Sequence, residues 1–189
     1  MKFNTHYNLT GKHAYLAPSK HHWVQYTTEK FEQAFAASSA TRRGTMLHDL
    51  ARKCIELNVK LPKTKSALNL FVNDAIGYRM NSEQILFYSY NAFGTTDAIA
   101  FRNNLLRIHD LKTGYGRVYM EQLEIYAALF CLEYRHEPNN IDLELRIYQS
   151  TKIVVHEPHP STIKRIMEKI ILFDKKIEEL KALEEGSWR

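Results

Sequence analysis

Asn103-Asn104 lies between two short apolar runs, Ala98-Ile99-Ala100-Phe101 and Leu105-Leu106-Arg107-Ile108. The runs are β-branched or aromatic, as strands require. Asn tolerates the positive φ that a two-residue hairpin turn needs at both of its central positions. The turn sets the register: Arg102 faces Leu105, so facing residues have numbers that sum to 207, as 102 and 105 do. Ile99 then faces Ile108 and Phe101 faces Leu106, two core pairs on one side of a sheet.

The same register sets Asp97 across from Asp110, with Cβ atoms about 5 Å apart on that side. Like charges facing each other destabilise a strand pair. A divalent cation between them would reverse the sign. Lys112 falls on the same face by strand alternation, whereas His109 points to the other. Two carboxylates and a lysine on one face suit metal-assisted phosphodiester hydrolysis, with the acids holding Mg²⁺ and the ammonium orienting water or stabilising the transition state. On an ordinary surface hairpin the same residues are only solvated charges, and a register one residue out would flip Asp97 to the opposite face.

The remaining texture is helices, then strands, helix, strands, helix. A helix is expected to start near Pro18-Ser19, before Trp23 and Phe31. A second is expected over about Thr41 to Leu57, where Met46, Leu47, Leu50, Ala51, Cys54 and Ile55 keep a helical period. A third follows over Lys65 to Tyr78 after Pro62. Ile85 to Tyr88 reads as a strand, Val118 to Tyr134 as a helix, and Asp142 to Tyr148 and Lys152 to His156 as strands. Ile163, Ile166, Ile170, Phe173, Ile177 and Leu180 mark a long amphipathic C-terminal helix. The expected fold is α/β: a central mixed sheet of about five strands flanked by helices, the first of them packed on one side. No internal repeat or Gly/Ser-rich linker breaks the chain. It reads as one domain over 1–189, with an N-terminal helical extension (1–40), a core (41–157) and a C-terminal helix (158–189).

Composition narrows the function classes. Two cysteines, Cys54 and Cys131, cannot make a disulfide framework or a four-thiolate site. No apolar stretch approaches 18 residues and no signal-peptide pattern opens the chain, so a cytoplasmic protein without a membrane partner is expected. Lys and Arg exceed Asp and Glu by five, a bias toward anionic partners, of which nucleic acid is the commonest. Arg42, Arg43 and Arg117 flank the informative segments and are the basic residues best placed for phosphate contacts. His21, His22, His136, His156 and His159 have no matched partners in the pattern. No G-x-x-x-x-G-K-[ST] segment is present, so ATP-driven unwinding is not encoded.

Gly94-x-x-Asp97 followed by Asp110-x-Lys112-Thr113-Gly114 resembles the PD-(D/E)xK nucleases, in particular their RecB-like exonuclease branch in its compact, phage-type form. Gly44-x-x-x-His48 and Gln122-x-x-x-Tyr126 match the branch's helix motifs, in the right order. The resemblance implies a restriction-endonuclease-like core and residue roles. His48, Asp97, Asp110 and the carbonyl of Leu111 would hold Mg²⁺ or Mn²⁺. Asp97, Asp110 and Lys112 would be catalytic, and Gln122 and Tyr126 would support the site or hold DNA. Two cysteines are too few for the iron–sulfur cluster of related CRISPR-adaptation nucleases, so none is expected. The activity implied is metal-dependent DNA exonuclease in recombination, repair or phage DNA metabolism, in a bacterial or phage-infected cell, with a recombination or replication protein as a possible partner. The alternatives are a structure-specific endonuclease and a non-catalytic DNA-binding accessory protein with a nuclease fold.

Overall fold

The Asn103-Asn104 turn forms, with φ of 50° and 64° at its two residues, the left-handed pair that a tight hairpin needs. It joins β2 (Ala92–Arg102) to β3 (Leu105–Lys112) in the expected register, Ile99 facing Ile108 and Phe101 facing Leu106. The structure, a computed structural model, describes Leu16 and residues 18–187. The chain divides into two compact units, residues 1–43 and residues 44–189. The sheet belongs to the second.

That sheet has five strands in sequence order: β1 (Asn81–Ser89), β2, β3, β4 (Asp142–Gln149) and β5 (Lys152–His156). All neighbours are antiparallel except β3 and β4. A parallel pair needs a crossover, and the connecting segment carries the helix Glu121–Tyr134. The protein is therefore α/β, a mixed sheet flanked by helices. In chain order the helices are α1 (Thr28–Glu56), α2 (Ala67–Gly77), α3 (Glu121–Tyr134) and α4 (Pro160–Ser187).

Each face of the sheet has its own core. On one, α3 and the start of α4 cover Leu86, Ile99, Leu106, Ile108, Leu145 and Ile147. On the other, α2 and the end of α1 cover Ala98, Ala100, Leu111 and Tyr148. Burying apolar surface on both faces is what lets the parallel pair sit at the centre.

The helices differ from expectation at the start of the chain. Pro18–Gln25 is a 3₁₀ segment, and one helix of 29 residues replaces the two expected over this region. Thr27 caps it, its Oγ1 accepting the Lys30 amide at 3.3 Å. Nothing between Phe31 and Arg43 breaks a helix, and the alanines at 34, 36, 37 and 40 favour one. Asn58, at φ 54°, closes α1, its amide and that of Val59 turning back to Ile55 and Cys54, a left-handed helix end.

Strand alternation is interrupted within β2. Ala92 and Gly94 lie toward α3, and so do Ile99 and Phe101. The inward set passes from even to odd numbers between Gly94 and Ile99. The β1–β2 ladder runs Ser82↔Ala98 and then Gln84↔Thr96, so Glu83 and Asp97 face each other without forming a rung. Glu83 takes a left-handed φ of 50°, a conformation costing a non-glycine residue of order 1 kcal/mol. The backbone irregularity coincides with the candidate carboxylate.

Candidate functional site

Asp97 stands where β2 and β3 part. Their ladder ends at Ala98↔His109, and beyond it the Asp97 side chain takes over: its Oδ2 accepts the Leu111 amide at 2.8 Å. Asp97 and Asp110 are thus adjacent across the gap, but they are not a regular facing pair. The expectation assumed an unbroken ladder; the divergence of the strands supplies a carboxylate-to-amide bond instead.

Asp110 is almost fully buried, with 7% of its side chain exposed. Lys112 Nζ donates to its Oδ1 at 3.2 Å and lies 3.0 Å from Oδ2. Oδ2 is within ion-pair reach of that ammonium yet accepts no hydrogen bond. Burial first, and the charge of Asp97 second, raise the Asp110 pKa above the usual carboxylate value, against the opposing effects of Lys112 and His48.

His48 reaches the same place from α1, with Nδ1 3.4 Å from Asp97 Oδ2. The Asp97 carboxylate beside it holds its pKa above the ordinary imidazole value, partly offset by desolvation. Gly44, one helical turn earlier, explains how α1 approaches so closely. A Cβ at position 44 would stand 2.8 Å from Thr113 Oγ1, nearer than side-chain atoms come.

Lys112 is also held from α3. Its Nζ donates to Gln122 Oε1 at 2.8 Å, and Gln122 Nε2 donates to the Tyr126 hydroxyl at 3.3 Å. Gln122 and Tyr126 are one turn apart and share a helix face. The Tyr126 ring in turn covers Gly94 of β2. Gly44 therefore meets Thr113, Gly94 meets Tyr126, and His48 meets Asp97: the four segments singled out in the sequence come together around one end of the β2–β3 hairpin.

The side chains of the other candidates make none of these contacts. The side chain of Leu111 is buried on the opposite face, and its amide is what bears on the site. Arg42 and Arg43 are exposed residues of the first unit. Arg117 lies in the loop before α3, its guanidinium over the Tyr119 ring. His109 is fully buried on the α2 face, away from Asp110. His156 is not partnerless, since its Nε2 lies 3.0 Å from Glu124 Oε1.

Sequence reasoning missed Glu83. It faces Asp97 from β1, opposite the side on which Asp110 lies. Burial and the Asp97 charge raise its pKa, and it acts electrostatically on His48. The signal was the β1–β2 register, which rests on the Tyr90-Asn91 turn and is blurred by a bulge between Phe87 and Ser89.

Among the described residues, no group of three or more His, Cys, Asp or Glu side chains is arranged to hold a metal ion. Mg²⁺ asks for less: it keeps several waters and is bound through one or two carboxylates. The buried Asp110 Oδ2 without a hydrogen-bond donor, and the mutual repulsion of Asp110 and Asp97, fit a hard divalent cation of that kind. Comparison with protein-family models gives no match, and comparison with curated proteins gives none. Among the described residues no helix is long and apolar enough to cross a membrane.

Proposed function

We propose that the chain is a Mg²⁺- or Mn²⁺-dependent deoxyribonuclease of PD-(D/E)xK type, acting as an exonuclease in DNA recombination, repair or phage DNA metabolism. The observation that carries this reading is the placement of Lys112 Nζ between the buried Asp110 carboxylate and Gln122 Oε1. One of its two partners is a carboxylate with 7% of its side chain exposed, so the ammonium is fixed against the sheet and not merely solvated. A lysine that must present its charge to a reacting phosphate needs to be held in this way.

A divalent cation held by Asp97 and Asp110, with His48 and the Leu111 carbonyl as further donors, would supply an activated water and charge neutralisation at the scissile phosphate. The chain's own groups do the rest. The Leu111 amide fixes one oxygen of Asp97. Asp110 holds the Lys112 ammonium close. Gln122 fixes its direction, and Tyr126 fixes Gln122. Lys112 then donates to a non-bridging phosphate oxygen or holds the attacking water.

The test is cleavage of end-labelled linear DNA, single- and double-stranded, with Mg²⁺, with Mn²⁺ and with EDTA, beside an Asp110→Ala control. Metal-dependent release of label that vanishes in the variant is expected, with covalently closed circles resistant. Nicked circles would turn the reading to an endonuclease. Tight DNA binding with no cleavage under either metal would turn it to an accessory protein.

A further inference from the structure

The face of α4 that continues past the sheet carries exposed apolar side chains. Ile163 is fully buried against the core, and Ile166 and Ile170 are packed on it. The same three- and four-residue spacing then runs on through Phe173, Ile177 and Leu180, which are 58%, 37% and 49% exposed. This is the seam of a helix that packs on another helix. Beside it, between α3 and α4, lies a groove of about 510 Å³ with an apolar floor formed by Ile125, Ile166 and Phe173.

One observation says what covers it, and a second says that it is held in place. The first is charge. Arg165 and Lys169 of α4 line the groove along one side, and the exposed Glu121 of α3 lines it along the other. A two-fold axis running along α4 brings each basic rim over the acidic rim of another copy, so the surface is complementary to itself. Isologous pairing demands that property. The second is rigidity. Asp174 accepts from Ser89 Oγ at 2.6 Å and from Asn91 Nδ2 at 2.9 Å. Glu178 accepts from Asn91 Nδ2 as well, and Lys181 Nζ donates to Asn91 Oδ1, both at 2.6 Å. The turn between β1 and β2 thus clasps the outer half of α4, so the apolar seam is presented on a fixed support.

We propose that this surface is the interface of a homodimer, in which two copies lay their α4 seams and the adjoining grooves together about a two-fold axis along the helices. The assignment draws on none of the residues of the candidate nuclease site and stands or falls separately from it.

Sedimentation velocity of the full chain over a wide concentration range tests it. The expected species at high concentration has twice the 22.2 kDa mass of one chain. Phe173→Asp and Ile177→Asp, both at exposed positions, should return it to the mass of one chain with the far-UV circular dichroism unchanged. Lys169→Glu or Glu121→Lys alone should weaken the dimer, and the two together should restore it. A single-chain mass at every concentration overturns the proposal, as does a dimer or larger assembly indifferent to both aspartate substitutions. Charge reversals that weaken the dimer additively, without rescue, overturn the two-fold arrangement.

Discussion

Gly94 lies so close beneath the Tyr126 ring that a Cβ at position 94 would stand 2.9 Å from Tyr126 Cε1. The missing side chain lets α3 settle on β2, and α3 carries Gln122 to Lys112. Gly94→Ala should therefore displace Tyr126, lower stability by roughly 1 to 3 kcal/mol as overpacking does, and reduce cleavage through misplacement of Gln122. Thermal unfolding of Gly94→Ala beside the double variant Gly94→Ala/Tyr126→Leu checks the cause. The smaller, flexible side chain should recover most of the lost stability. A double variant no more stable than Gly94→Ala would place the strain elsewhere.

The chain Lys112–Gln122–Tyr126 orders the effects of its removal. Lys112→Ala should abolish cleavage. Gln122→Ala should slow single-turnover cleavage by about 10- to 100-fold, the usual loss when a group that orients a reactive residue is deleted. Tyr126→Phe should be mildest, because its hydroxyl only receives the Gln122 amide at 3.3 Å. DNA affinity measured with Ca²⁺ in place of Mg²⁺ should change little for Gln122→Ala. A loss of affinity as large as the loss of rate would make Gln122 a DNA contact and not a lysine support.

Much of this arrangement is legible in the chain itself, because its determinants are local. The Asn103-Asn104 turn dictates the β2–β3 register, and alternation from that turn carries Lys112 to the side of Asp110. The opposite placement of His109 follows from the same rule. What escaped depends on contacts distant in sequence. The alternation resets at Asp97 where Glu83, a residue of another strand, adopts a left-handed backbone beside it. The break expected between Phe31 and Thr41 is absent because an alanine-rich stretch lacking a Gly or Pro has nothing to end a helix. The pairing of His156 with Glu124 joins β5 to α3 across 32 residues, and no periodicity encodes it.

Glu83 offers a test of the site's electrostatics. It adds a third negative charge on the β1 side of Asp97, and its left-handed backbone is retained at a cost. Glu83→Gln keeps the size of the side chain and removes the charge. If Glu83 helps to draw a cation toward Asp97, half-maximal cleavage in this variant should require severalfold more Mg²⁺, with a smaller change in the rate at saturating metal. A Mg²⁺ titration of cleavage reads both quantities. An unchanged requirement for Mg²⁺ would leave Glu83 as a feature of the strand's geometry.

The buried His109 makes a prediction for stability that is independent of catalysis. Its side chain is fully enclosed on the α2 face, and its Nδ1 lies 3.2 Å from the Tyr148 hydroxyl. That hydroxyl donates to Asp74 Oδ2 at 2.7 Å, so its oxygen is left to accept from Nδ1–H. Nε2 then carries no proton and has no partner. Protonating it would bury an imidazolium beside Arg146 and Arg107. Desolvation foremost, then those two charges, push the pKa down to about 3. An unfolded chain takes up this proton near the ordinary imidazole value, about 6.5, and the folded chain does not until far lower pH. Unfolding is therefore favoured progressively as pH falls from about 6.5 toward 3, by on the order of 1 kcal/mol per pH unit; above that range His109 contributes no pH dependence. Urea midpoints for the wild type and His109→Asn from neutral to mildly acidic pH isolate this contribution, since both chains share every carboxylate. Asn keeps an N–H donor for Tyr148 and cannot titrate. Its stability should be lower at neutral pH, where packing is lost, and should fall less steeply with acid. Parallel acid slopes in the two chains would mean that His109 is not held neutral.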